Sequence, residues 1–276
     1  MNELHVLLFA VMQGITELFP ISSLGHGVLL PIMLGWDLNR DNPDFLPFLV
    51  VLHLGTASAL LLYFWRDWRD LLGGVIRARG GASNAHARLF WLLVVATIPA
   101  GLLGLALEKK LRLLFGSLTV VAVFLVLNGF VLFAGDALKR RAANSAQLET
   151  LGWGRALLIG LAQSLALIPG MSRSGVTLVA GLANGLDYGA SARFSFLLAT
   201  PIIGAAGLLE VPKLFRAHAH MQVATVFGAG IVAGICAYLS TWILMRYFNT
   251  HEVKALRPFG FYCAAMGVAA LAWWFA

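Results

Sequence analysis

The sequence predicts an all-α integral membrane protein, a single membrane domain over residues 1–276, and three observations carry that prediction. Only 12% of the residues are charged and 59% are apolar, whereas soluble domains run near ~25% charged. Mean hydropathy is +0.82. Six stretches are long and apolar enough to cross a bilayer, which takes about 20 residues per helix. A soluble enzyme is excluded, and any chemistry must sit inside or against the membrane.

Along the chain, the first apolar region, residues 4–36, is interrupted by Gln13, Glu17, Pro20, Gly25, His26 and Pro31. Proline removes a backbone donor and stops a helix, so this region predicts two half-helices joined by a polar elbow, a re-entrant hairpin. Such an elbow is tolerated at membrane depth only where protein buries it or where it lines a wet cavity. Uninterrupted spans are predicted at 45–65, 89–107 and 113–135. A second broken region, 156–186, is cut by Gln163, Pro169, Gly170, Arg173 and Gly175 and predicts a second hairpin. Spans at 194–211, 223–245 and 258–276 bring the crossings to six.

Six crossings place both termini on one side. With 66–88 taken as cytoplasmic, twelve Lys and Arg fall inside and six outside, Arg173 and Arg193 being set aside with the second hairpin region. The positive-inside rule then puts both termini outside, so the first hairpin enters from the outer face and the second from the cytoplasm. The net charge of +7 is scattered over short connectors, which argues for topology and against nucleic acid. Cys236 and Cys263 lie in apolar stretches, where thiols behave as small hydrophobes rather than as a disulfide or metal framework. The N-terminal stretch is expected to belong to the mature protein, because Gln13 and Glu17 interrupt it before a signal-like apolar run is complete.

The chain also echoes itself. Gln13-Gly-Ile-Thr-Glu-Leu-Phe-Pro20-Ile-Ser-Ser23 resembles Gln163-Ser-Leu-Ala-Leu-Ile-Pro169-Gly-Met-Ser172, and Ala87-Arg88-Leu-Phe-Trp-Leu-Leu resembles Ala192-Arg193-Phe-Ser-Phe-Leu-Leu, each of the latter followed by a Thr and Pro pair. Repeat one is expected over about residues 1–112 with hairpin 4–36, and repeat two over about 150–276 with hairpin 156–186. The odd span at 45–65 inverts the copies, a plan that puts a site where two broken helices meet.

The polar residues of the elbows define that site. Glu17, Ser22, Ser23 and His26 cluster in one, and Ser172, Arg173, Ser174 and Thr177 in the other. An ionisable group in a bilayer costs about 2.5–3.5 kcal/mol on insertion scales and marks function by default. Arg173 offers a planar fork of donors for phosphate oxygens, and the half-helix N-termini after Pro20 and Pro169 add N–H groups. A carboxylate, an imidazole and hydroxyls beside an anion site suit phosphoryl transfer. Glu17 could hold a divalent cation or orient a base, with Gln13 one turn earlier as a second oxygen ligand. His26 could deprotonate a nucleophile, protonate the leaving oxygen or attack phosphorus itself, with Ser23 the nearest hydroxyl. Ser22 and Ser174 are expected to cap half-helices, His53 to be a packing residue, Asn128 to be interhelical glue, Glu210 an interfacial charge, and His218 and His220 solvated loop residues.

No Gly-rich loop ends in Gly-Lys-Ser/Thr, so nucleotide hydrolysis has no support. The haloperoxidase-like lipid phosphatases need a histidine where this chain has Val179. The motifs Gln13-Gly14-Ile15-Thr16-Glu17-Leu18-Phe19-Pro20-Ile21-Ser22-Ser23-Leu24-Gly25-His26 and Pro169-Gly170-Met171-Ser172-Arg173-Ser174-Gly175-Val176-Thr177 instead closely resemble those of the bacitracin-resistance family of undecaprenyl-diphosphate phosphatases. The likeness extends through Leu52-His53-Leu54-Gly55-Thr56 and Phe194-Ser195-Phe196-Leu197-Leu198 to most of the chain.

The resemblance implies removal of the terminal phosphate of undecaprenyl diphosphate in the bacterial plasma membrane, at a site open to the outer face. It implies roles for Glu17, Ser23, His26, Ser172, Arg173 and Thr177, dependence on a divalent cation (Mg2+ or Ca2+), and a homodimer. Gln13 stands where many members carry Glu, Asp187-Tyr188 follows Gly185 where a basic residue is expected, and the loop at 37–44 is long. Inverted repeats with broken helices also suit a transporter or flippase of an anionic lipid, the competing expectation.

Overall fold

In the computed structural model, the first 36 residues break once, ahead of Pro20, while Gly25, His26 and Pro31, also expected to interrupt the region, lie inside the second helix. Helix α1 (Glu3–Thr16) stops ahead of Pro20, an elbow follows over 17–22, and α2 (Ser23–Met33) resumes. The restart is capped by Ser22, whose Oγ accepts from Gly25 N at 3.1 Å while its own backbone takes φ 69°. The second broken region repeats the device. There α7 (Trp153–Gln163) runs into a 3-10 turn (Ser164–Leu167), and α8 (Arg173–Ala183) begins at Ser172, whose Oγ accepts from Gly175 N at 3.2 Å. With 14 and 11 residues, α1 and α2 are too short to cross a hydrocarbon core about 30 Å thick at about 1.5 Å per residue.

The other helices are α3 (Phe45–Tyr63), α4 (Trp65–Arg77), α5 (Ala85–Leu114), α6 (Leu118–Arg141), α9 (Tyr188–Arg216), α10 (Val223–Thr250) and α11 (Arg257–Phe275). Residues 3–36, 45–114, 117–141, 148, 151–216, 223–251 and 253–276 are described, and no strand occurs among them. The expectations for loop 37–44, for His218 and His220 and for the Glu210 side chain lie outside the described residues. Among the described residues five helices, α5, α6, α9, α10 and α11, are long and apolar enough to span a membrane. The sixth predicted span is α3, which passes together with α4 across a bend of 78°. The chain is a multi-pass membrane protein.

Small residues set how closely these helices approach. A Cβ on Gly55 of α3 would stand 2.0 Å from Gly230 O of α10, and one on Gly14 of α1 would stand 2.3 Å from Ala233 O. Lipid tails are as apolar as leucine, so close backbone packing of this kind, and not hydrophobic exclusion, holds spans together. Leu62, Leu208 and Phe261 remain more than half exposed, as lipid-facing positions do. Inside, α3 packs on α9 and α10, α6 on α11, α1 on α10, and α5 on α7. The echoing stretches at 87–93 and 192–198 lie on α5 and α9, yet the helix that packs on α1 as α5 packs on α7 is α10. Both elbows end beside α6, where α2 and α8 meet it.

Candidate active site

Glu17 is the centre on which the elbows converge. Its carboxylate is buried, and four side chains from three parts of the chain surround it. Arg173 Nη2 donates to Oε1 at 3.1 Å, across 156 residues. Ser23 Oγ donates to Oε2 at 2.5 Å, and Gln13 Nε2 donates to the same oxygen at 3.1 Å. His53 Nε2 lies 3.3 Å from Oε2, its ring fixed by an Nδ1–H bond to Leu49 O at 2.7 Å. Thus the structure brings Gln13, Glu17, Ser23 and Arg173 together.

Arg173 is not saturated by this arrangement. Its Nη1 donates to Ser195 O at 3.3 Å, and its Nε is buried with no hydrogen-bond partner among the described residues. A buried N–H without an acceptor is costly in hydrocarbon surroundings, and anionic oxygens are the strongest acceptors for a guanidinium. Thr177, one turn along α8, donates to Arg173 O at 2.7 Å and lies 2.6 Å from Ser195 Oγ, so it braces the first turn of α8 against α9.

Several expectations change. His26 is not paired with Ser23: its Nδ1–H donates to Ser22 O at 2.7 Å, and its Nε2 accepts from Tyr262 Oη of α11 at 2.8 Å, the rings stacked at 5.6 Å. The residue hydrogen-bonded to Ser23 is Glu17. Ser174 was expected to cap α8, but Ser172 does so, because the N-cap must precede the first helical residue. Ser174 Oγ instead donates to Phe19 O at 3.2 Å, tying one elbow to the other. His53, expected to be packing, stands against Glu17. The one sequence signal for it was its place in the His-Leu-Gly-Thr segment, and Ser195 had the same kind of signal in the Phe194–Leu198 segment; Tyr262 left none, since its partner lies far away in sequence.

The atoms around Glu17 do not fit a cation held by Glu17 and Gln13. A hard cation needs several oxygen ligands, but Gln13 turns its NH₂ to the carboxylate, and each carboxylate oxygen already faces a donor, one of them a guanidinium. Among the described residues no group of three or more His, Cys, Asp or Glu is placed to hold a metal.

Fold and site together define a polytopic membrane protein with two broken-helix hairpins that join a buried carboxylate, a serine and a guanidinium. The family model for bacitracin resistance protein BacA matches residues 6–269, and the chain belongs to that family. It is 62% identical over 272 residues to undecaprenyl-diphosphatase 2 of Chromobacterium violaceum, covering 98% of each chain. It is 50% identical over 275 residues to undecaprenyl-diphosphatase of Acidiphilium cryptum, again with 98% of each covered. With undecaprenyl-diphosphatase of Granulibacter bethesdensis the identity is 51% over 290 residues, covering 99% of this chain and 97% of the relative.

Proposed function

We propose that this protein hydrolyses undecaprenyl diphosphate to undecaprenyl phosphate and inorganic phosphate, returning the lipid carrier to cell-wall synthesis. One observation carries the reading: a serine hydroxyl on a buried carboxylate stands one ion pair away from a guanidinium with an unused donor. That is a nucleophile, a base and an anion clamp, in a chain whose relatives bear the name undecaprenyl-diphosphatase.

In this reading the diphosphate takes the fork of Arg173 and loosens its bond to Glu17, which leaves the carboxylate free to act on Ser23. Ser23 Oγ attacks the terminal phosphorus while its proton passes to Glu17 Oε2, and the bond from phosphorus to the bridging oxygen breaks. Undecaprenyl phosphate leaves, and water then cleaves the phosphoserine to inorganic phosphate and restores the hydroxyl. The prenyl tail stays in lipid throughout, so no soluble domain is needed. A divalent cation, where the reaction depends on one, would be held by the diphosphate oxygens and not by Glu17 and Gln13, and would offset their negative charge. His26 is buried on α2 and hydrogen-bonded to Tyr262, away from the Ser23–Glu17 pair.

The duplication belongs to the same reading. Repeat one, about residues 1–112 with hairpin α1–α2, and repeat two, about 150–276 with hairpin α7–α8, are taken as copies of opposite topology, a reading supported by the hydrogen bond from Ser174 Oγ to Phe19 O that ties one elbow to the other. The site opens to the outer face, and a homodimer is carried over from the resemblance. The test is phosphate release from detergent-purified protein with a prenyl diphosphate. Arg173→Ala and Glu17→Ala should both lose turnover; wild-type-like rates in either sink the assignment.

A further inference from the structure

Asn128 sits in the middle of α6, wholly buried, and uses both ends of its amide on the two elbows. Its Nδ2 donates to Pro20 O at 3.0 Å, and its Oδ1 accepts from Ser172 N at 3.0 Å. Both partners are backbone groups of non-helical chain, which at membrane depth must be satisfied by protein. Pro20 lies three residues from Glu17 and three from Ser23, and Ser172 immediately precedes Arg173. A carbonyl requires a donor and an N–H requires an acceptor, so the partners dictate which way the amide faces. Cys263 Sγ of α11, 3.3 Å from the same Nδ2, holds it from a third side.

We propose that Asn128 is a positioning residue of the phosphatase reaction. It fixes the elbow that bears Glu17 and Ser23 against the elbow that bears Arg173, so that the grip on the diphosphate and the attacking group keep their register. The inference rests on the function proposed above. An asparagine suits the place because it offers a donor and an acceptor from one branch point. Aspartate would turn an acceptor onto Pro20 O, and an apolar side chain would leave two buried backbone groups unpaired. Ser174 Oγ on Phe19 O ties the same elbows directly, but Asn128 adds the anchor to α6.

The test compares Asn128→Ala with wild type in detergent, with turnover divided by the folded fraction from size exclusion. A misplacement of about 1 Å can cost about 100-fold. The expected result is a fall in kcat per folded molecule of on the order of 10- to 100-fold, with KM changed less than about 3-fold because Arg173 itself is intact. Combined with Arg173→Lys, the loss should be less than the product of the single losses, since both changes act on one register. If Asn128 only supports the fold, its effect stays in the folded fraction and multiplies independently; that outcome overturns the proposal. Where Asn128→Ala fails to fold, Asn128→Ser, which keeps a hydroxyl at the site, is put through the same comparison. Wild-type turnover in Arg173→Lys alone would count against the guanidinium fork as the clamp and not against the role of Asn128, whereas no phosphate release by the wild-type protein would count against the underlying function.

Discussion

Replacing Arg173 by lysine keeps the positive charge and removes the fork, so it isolates what the guanidinium geometry contributes. Arg173 makes one bond to Glu17 Oε1 and one to Ser195 O, and its Nε has no partner among the described residues. On the reading above, a bound diphosphate engages at least two of these N–H groups at once. A lysine offers a single ammonium and retains only one such contact. Losing one to two charge-assisted hydrogen bonds removes about 3 kcal/mol, at about 1.5–3 kcal/mol each. At a factor of ten per 1.4 kcal/mol this is on the order of 100-fold in kcat/KM. The assay is initial-rate phosphate release from a prenyl diphosphate by purified Arg173→Lys, with monodispersity in detergent as the control for folding. Rates within about 3-fold of wild type would show that charge alone suffices, and the clamp argument would fail.

Three further outcomes are expected. Glu17→Gln preserves shape but removes both the base and the counter-charge of Arg173; turnover should drop by at least about 100-fold in the same assay, and a smaller loss would place the base elsewhere. Gly170→Ala puts a Cβ 2.3 Å from Val121 O at a residue with φ 101°; left-handed strain of about 1–2 kcal/mol plus overpacking of about 1–3 kcal/mol should lower the detergent melting temperature, and an unchanged melt would refute the tight seating of the second elbow on α6. Tyr262→Phe removes the hydroxyl at His26 Nε2; kcat should fall less than about 10-fold, whereas Ser23→Ala should abolish turnover, and the reverse order would make His26 the reacting group.

The broken regions were legible because proline acts locally. Pro20 and Pro169 stand among other breakers, with Ser22 and Ser23 or Gly170 and Ser172 close by, so the two elbows could be placed from the chain alone, whereas the isolated Pro99 and Pro201 lie inside α5 and α9. The conspicuous charges were legible for a related reason: in so apolar a chain, Glu17 and Arg173 stand out without any coordinates. Partnerships were not legible. Ser23 and His26 are three residues apart, close enough to pair along one helix turn, yet Ser22 O takes one ring nitrogen of His26 and Tyr262, 236 residues away, takes the other. His53 read as one polar residue in an apolar span until α3 was set beside the first elbow.

By itself, then, the sequence determined a helical membrane protein with two polar elbows and the residue types of an anion-handling site. Tertiary structure alone decided that Glu17 would hold Ser23 and Arg173 together, that His53 would join them, and that Asn128 would bridge the elbows. The physical reason is range. Helix breaking, capping and hydropathy act within a few residues, whereas a hydrogen bond in a bilayer interior forms between whichever donor and acceptor the packing of distant helices brings within about 3 Å.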